Sequence, residues 1–133
     1  MGKRHSPADL FWVAFGGMAG AVLRHGTNHA VTSIFGENHI YTATAIENIL
    51  GSFLMGFFYI LLIRRFDRNH RLNLFLLVGL VGSYTTYSGY GTQAVMLIQE
   101  SVPLFMLYLF GQLFLGLIAL LAGMKLVKKT PRG

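Results

Sequence analysis

Cysteine is absent from this chain. No disulfide framework and no thiolate metal site can therefore be built from it. Charge is scarce as well, at 12% of 133 residues, and acidic residues number only five against eleven basic ones. A soluble domain of this length needs more polar surface than that. The sequence also lacks an HExxH pair, a nucleophile triad, an acid–base pair and a phosphate-binding loop, so nothing in it reads as an enzyme. Lys3 and Arg4 precede an apolar run, but the run is too long and has no small-residue cleavage pattern. A removable signal peptide is not expected. The five histidines, His5, His25, His29, His39 and His70, have no paired spacing and lie near segment ends.

What is present is apolar residue: 53% of the chain, with a mean hydropathy of +0.53. The apolar runs predict a single all-α membrane domain over 1–133 with four spans, about 10–34, 41–63, 72–98 and 102–127. Each is long enough for a hydrocarbon core of about 30 Å. In the first span, Gly16, Gly17, Gly20 and Ala21 form a small-xxx-small pattern suited to close helix packing. Arg24 follows on the Gly20 face, where it snorkels, pairs with protein or serves function. In the second span, Thr44, Asn48 and Ser52 fall at i, i+4 and i+8 and form one polar line, which Gly56 extends as a groove. Glu47 lies beside that line. The fourth span carries a second track at Tyr108, Gln112 and Gly116. Both tracks suit either interhelical hydrogen bonding or a polar path.

The third span is the anomaly. Residues 79–91 hold four glycines, two threonines, two serines and three tyrosines in thirteen positions. Such a run predicts a break near the middle of the helix, between Gly82 and Thr86, because non-helical backbone at membrane depth is tolerated where it lines a cavity or binds something.

Ten of the eleven basic residues fall on one side of the four spans. Lys3 and Arg4 precede span one; Arg64, Arg65, Arg68 and Arg71 lie between spans two and three; Lys125, Lys128, Lys129 and Arg132 close the chain; Arg24 is inside a span. The opposite loops, 35–40 and 99–101, carry no lysine or arginine. Both termini are therefore expected in the cytoplasm of a multi-pass protein of the cell membrane. The same distribution argues against nucleic acid as the partner of the +6 net charge and for the lipid bilayer.

Three motifs resemble one family, the small four-span fluoride channels called CrcB or Fluc, over nearly the whole chain. They are Gly16-Gly17-Met18-Ala19-Gly20-Ala21-Val22-Leu23-Arg24, then residues 43–56 from Ala43-Thr44 through Asn48 and Gly51-Ser52-Phe53 to Gly56, then Gly79, Gly82, Thr85, Thr86 and Ser88. The resemblance implies an antiparallel dimer that lets fluoride leave the cytoplasm and lowers its toxicity. It implies a structural sodium ion held by backbone carbonyls of Gly82 and Thr85. It implies a fluoride pathway through Asn48, Thr44 and Ser88, with Tyr87 and Tyr90 presenting ring edges and Tyr108 and Gln112 as donors on the fourth helix. Amide N–H, hydroxyl and aromatic edges are what a dry path must offer a strongly hydrated anion.

The chain departs from the family pattern at particular positions. Tyr87 and Tyr90 stand for phenylalanines, Gly89 for a threonine and Gln93 for a glutamate, while Glu47 replaces an apolar residue. A carboxylate beside an anion path repels the anion unless it is protonated or paired, for example with Arg24. A homodimer needs one sequence that inserts both ways, whereas this charge bias favours one orientation. A heterodimer with an oppositely oriented paralogue and an active homodimer both stay open. So do two alternative functions: a proton-coupled small-molecule exporter built on Glu47, and a non-conducting subunit that supports a fluoride-channel partner.

Overall fold

The computed structural model describes residues 6–67 and 69–129, with the side chain of Lys129 excepted. Lys3, Arg4, His5, Arg68 and Arg132 lie outside those residues. The described chain is all-helical, without strands. Helix α1 spans Pro7–Phe35, starting with proline at its first position and stopping at Gly36, whose φ of 99° a side-chain-bearing residue rarely adopts. A short turn, Glu37–His39, leads into α2, Ile40–Arg65. The third span is α3, residues 70–84, followed by α4, Tyr87–Glu100. Helix α5 is Val102–Lys129. Taking α3 and α4 as the halves of one broken helix, the described residues form four long helices.

Two of the four are long and apolar enough to cross a membrane on hydropathy alone: the α2 region, 37–65, and α5, 102–128. Helix α1 is interrupted by arginine, histidine and glycine, and the third span is divided, so neither passes the same test. Phe11, Phe15, Val22, Leu107 and Phe114 are all more than half exposed. A surface of that kind suits contact with lipid or another chain rather than water.

The helices meet in two close pairs, α1 with α3 and α2 with α5. Backbone contact sets both. A Cβ on Gly16 would lie 2.2 Å from the Phe75 carbonyl oxygen, and one on Gly123 would lie 2.2 Å from that of Phe53. Gly56 belongs to the same device: its Cβ would meet the Leu120 carbonyl oxygen at 2.1 Å. The expected groove at Gly56 is therefore not open; α5 fills it. Close packing is also what Gly20 and Gly79 serve, whereas Gly17 has nothing within 4 Å. At the ends of the bundle, Arg64 donates to the carbonyls of Val127 and Lys128 at 2.9 and 3.1 Å, serving the last turn of α5. Asp9 accepts from the Ser6 N–H at 3.0 Å and lies 3.2 Å from His70 at the start of α3. The Ser6 N–H, and after it His70, holds the Asp9 carboxyl below its usual value against a smaller opposing effect of desolvation.

The third span departs from a plain helix twice. Leu74–Val81 is wound as a π-helix over eight residues, a form that periodicity in the sequence does not announce. After one more α-turn at Gly82–Tyr84, Thr85 and Thr86 are extended, with φ, ψ of −76°, 156° and −141°, 120°. The break thus falls on two threonines. Gly82, expected at its edge, is helical at φ −60°, ψ −34°. β-Branched residues are at ease in extended backbone, so the break does not need a glycine.

Candidate functional site

Thr86 leaves the helical ladder, and its backbone groups need other partners. Asn48 supplies them from the middle of α2. The Thr86 N–H donates to Asn48 Oδ1 at 2.9 Å, and Asn48 Nδ2 donates to the Thr86 carbonyl at 3.1 Å. One side-chain amide therefore pairs both backbone groups of the broken residue, as a neighbouring strand would. The Thr86 hydroxyl accepts from the Gly89 N–H at 3.0 Å and so caps α4.

This pairing fixes the orientation of the next amide. The Thr86 N–H can only donate, so Asn48 must face it with oxygen and turn its NH2 the other way. The second proton of Nδ2 then goes to Gln112 Oε1 at 3.0 Å. Gln112 accordingly presents its oxygen to Asn48, and its own Nε2 is left buried without a hydrogen-bond partner. It lies near Tyr108, whose hydroxyl already donates to Gln93 Oε1. Asn48 itself has no spare proton, since both are held within the chain.

Around this chain of amides runs a groove of about 480 Å³. Asn48, Ser52, Thr85, Thr86, Tyr87, Tyr90 and Gln112 supply its polar wall, and Met55, Val81, Leu113, Leu117 and Leu120 the apolar one. Tyr87 and Tyr90 do share a face: both line the groove, with ring centroids 6.2 Å apart. They differ in setting. Tyr87 is 87% exposed, whereas Tyr90 is 8% exposed, stacks on Tyr108 at 5.6 Å and donates its hydroxyl to the Leu109 carbonyl at 2.6 Å. The Tyr90 hydroxyl is therefore spent, and what it offers the groove is ring.

A second, more polar cavity of about 350 Å³ opens on the other side of Thr86. Arg24, His25, Asn28, Thr44, Glu47, Ser88 and Gln93 line it. The expected polar line on α2 is thus divided: Asn48 and Ser52 face the groove, while Thr44 and Glu47 face this cavity. Thr44 accepts from Gln93 Nε2 at 2.9 Å, and Tyr108 reaches the same amide from below, so Tyr108 supports the wall and lines neither cavity. Ser88 lies with Glu47 and not with Tyr87.

A family model described as CrcB-like protein, Camphor Resistance (CrcB), matches residues 11–124. The chain belongs to the CrcB family. Curated relatives agree over most of their length. A fluoride-specific ion channel FluC of Pseudomonas fluorescens (strain Pf0-1) is 37% identical, with 87% of this chain and 94% of that protein covered. One of Thermosipho melanesiensis is 34% identical over 86% of this chain and 91% of its own length. One of Flavobacterium psychrophilum is 33% identical over 90% and 97%.

Within this CrcB chain the sequence-level candidates separate into three places. Asn48, Tyr87, Tyr90 and Gln112 meet in the groove; Thr44, Ser88, Arg24 and Glu47 meet in the second cavity; Thr85 lies at the break, on the groove wall, with Gly82 in the helical turn before it; and Tyr108 stands outside all three, behind Gln93. Ser52 and Thr86 also line the groove, although the family resemblance implies no role for either. Ser52 was legible from its i+4 spacing to Asn48. The pairing of Thr86 backbone with Asn48 spans 38 residues and has no local signature.

Proposed function

We propose that the chain is a subunit of a fluoride-specific ion channel of the cell membrane, with fluoride passing along the groove between Asn48, Gln112 and the Tyr87–Tyr90 pair. It is a channel component and not an enzyme. The observation that carries the reading is the buried Gln112 Nε2, a donor with no partner at the wall of that groove. An unpaired buried donor is costly, and a small anion satisfies it. The exposed Tyr87 ring and the buried Tyr90 ring add positive edges on the same side. The relatives named for fluoride conduction support the same assignment.

In this reading both termini are cytoplasmic and the chain pairs with an oppositely inserted subunit, either a second copy or a relative of opposite charge bias. The exposed apolar faces and the one-sided basic residues support it. Sodium fits the break chemically. Where α3 stops at Tyr84, the carbonyls of its last turn run out of helical partners, and Gly82 lies exposed beside them. Hard oxygen ligands of that kind suit an alkali cation, and Gly82 and Thr85 are the residues that would hold it. Bound there, it would neutralise the carbonyl dipoles and fix the break.

The test is flux. Purified chain reconstituted into liposomes loaded with fluoride should release it, with chloride retained, either alone or together with a relative of opposite charge bias. Release by the chain alone identifies a homodimer as sufficient; release only with the relative identifies the heterodimer. Failure to release fluoride in both arrangements overturns the channel reading.

A further inference from the structure

Glu47 is the least expected residue in the molecule. It is completely buried, and neither carboxylate oxygen has a hydrogen-bond partner. The side chain lines the second cavity, and a further buried acceptor without a partner, Asn28 Oδ1, lines the same cavity. The Arg24 guanidinium lines the same cavity, yet none of these three acceptors receives a hydrogen bond. An ionised carboxylate cannot stay there uncompensated, because burial without donors strongly disfavours charge.

The charged and titratable neighbours of Glu47 come from α1 and α5. Helix α1 brings Arg24 and His25, and α5 brings Tyr108, close enough to interact electrostatically with Glu47. Helix α4 brings no charge, only Ser88, Gly89 and Gln93, whose Nε2 is already donating to Thr44. Arg24 is the one permanent cation among these groups, and it acts on Glu47 through space without a hydrogen bond. Ionised Glu47 cancels Arg24 and leaves the cavity rich in acceptors. Protonated Glu47 does the opposite: it gains an O–H donor and leaves the Arg24 charge unopposed, beside the Ser88 hydroxyl.

We propose that the cavity formed by α1, α2 and α4 around Glu47 binds a halide together with a proton, the proton residing on the Glu47 carboxyl and the halide lying between that carboxyl and Arg24. Thr86 lines both this cavity and the groove, so the site adjoins the conduction path. Naming fluoride as the physiological halide rests on the channel reading above. The site itself rests on the orphaned carboxylate and the cavity. Proton and halide affinities are then linked reciprocally: each ligand strengthens the other by the same factor.

Infrared spectroscopy of the purified protein reads the linkage without any need for transport. The chain has five acidic residues, and Glu37, Asp67 and Glu100 are exposed while Asp9 is held ionised by Ser6 and His70. A carboxylic-acid band near neutral pH therefore reports Glu47. The band should grow when sodium fluoride replaces sodium gluconate at fixed pH, should be missing in Glu47→Gln, and should lose its fluoride response in Arg24→Gln. In liposomes, efflux above the protein-free background should rise as the medium is acidified, by up to about tenfold per pH unit for one linked proton. Glu47→Gln should flatten that dependence.

A wild-type band indifferent to fluoride overturns the proposal, as does a Glu47→Gln variant that keeps the pH dependence of efflux. Should Glu47→Gln fail to fold, the wild-type band and its fluoride response decide the matter alone. A fluoride-responsive band in protein that conducts no fluoride, alone or with a relative, leaves the site standing and removes the channel reading. Robust pH-independent efflux does the reverse.

Discussion

Asn48 ties the middle of α2 both to the break in the third span and to α5. Its amide pairs the Thr86 N–H and carbonyl and still reaches Gln112. Replacing it with alanine unpairs two backbone groups at once, at about 1–3 kcal/mol for each buried group left unsatisfied. Asn48→Ala should thus lower the unfolding temperature in detergent and abolish fluoride efflux. Asn48→Asp separates the two effects. It keeps an acceptor for the Thr86 N–H but sets a carboxylate oxygen against the Thr86 carbonyl and Gln112 Oε1, so efflux should still fall at least about tenfold, equivalent to about 1.4 kcal/mol. Retained efflux in Asn48→Asp would show that the amide NH2 is not needed. Residue chemistry was legible in the sequence as composition: Asn48, Gln112 and Glu47 stand out in apolar spans. Their division between two cavities was not, because it depends on how α2 is rotated against α4 and α5.

At the scale of elements, the four helices and the interruption of the third follow from apolar run length and from the polar content of residues 79–91. The details of the break do not. Glycine is the usual punctuator, yet Gly79 and Gly82 are helical and the extended residues are threonines. The glycines have mostly another task, which the helix α1 pair separates cleanly. Gly16 abuts the Phe75 carbonyl, whereas Gly17, its neighbour, faces open space. Gly16→Ala should destabilise by about 1–3 kcal/mol, since the obstructing atom is backbone and cannot step aside. Gly17→Ala should be neutral or should stabilise by up to about 1 kcal/mol through helix propensity. Thermal unfolding of the two variants in one detergent checks the contrast. Equal effects would mean that α1 and α3 are not in backbone contact.

For the whole molecule, the proposed orientation rests on charge counted along the sequence and not on packing. It can be tested without disturbing the bundle. Arg64 should be left alone, because it serves the carbonyls at the end of α5. Replacing Arg71, Lys125 and Lys128 by glutamine, with Glu37→Lys and Asn38→Lys in the opposite loop, weakens the bias from both sides. A reporter fused to the C-terminus should be cytoplasmic in the parent and divided between the two sides of the membrane in the variant. A reporter that stays wholly cytoplasmic in the variant would place the orientation signal elsewhere than in these charges. The fully cysteine-free background makes single-cysteine labelling a second readout of the same question.

The eight π-wound residues, Leu74–Val81, bear on how this chain could change in length. An i→i+5 ladder contains one residue more per closed ring than an i→i+4 ladder over the same backbone path. Removing one residue there can be absorbed by rewinding to an ordinary helix, so Thr85 and Thr86 keep their place opposite Asn48. The same deletion in α2 or α5 would turn every later side chain by about 100°, from the 3.6-residue turn, and would carry Asn48 or Gln112 off the groove. The first half of the third span is thus the stretch of apolar helix in which the gene can lose a codon while the break stays in register.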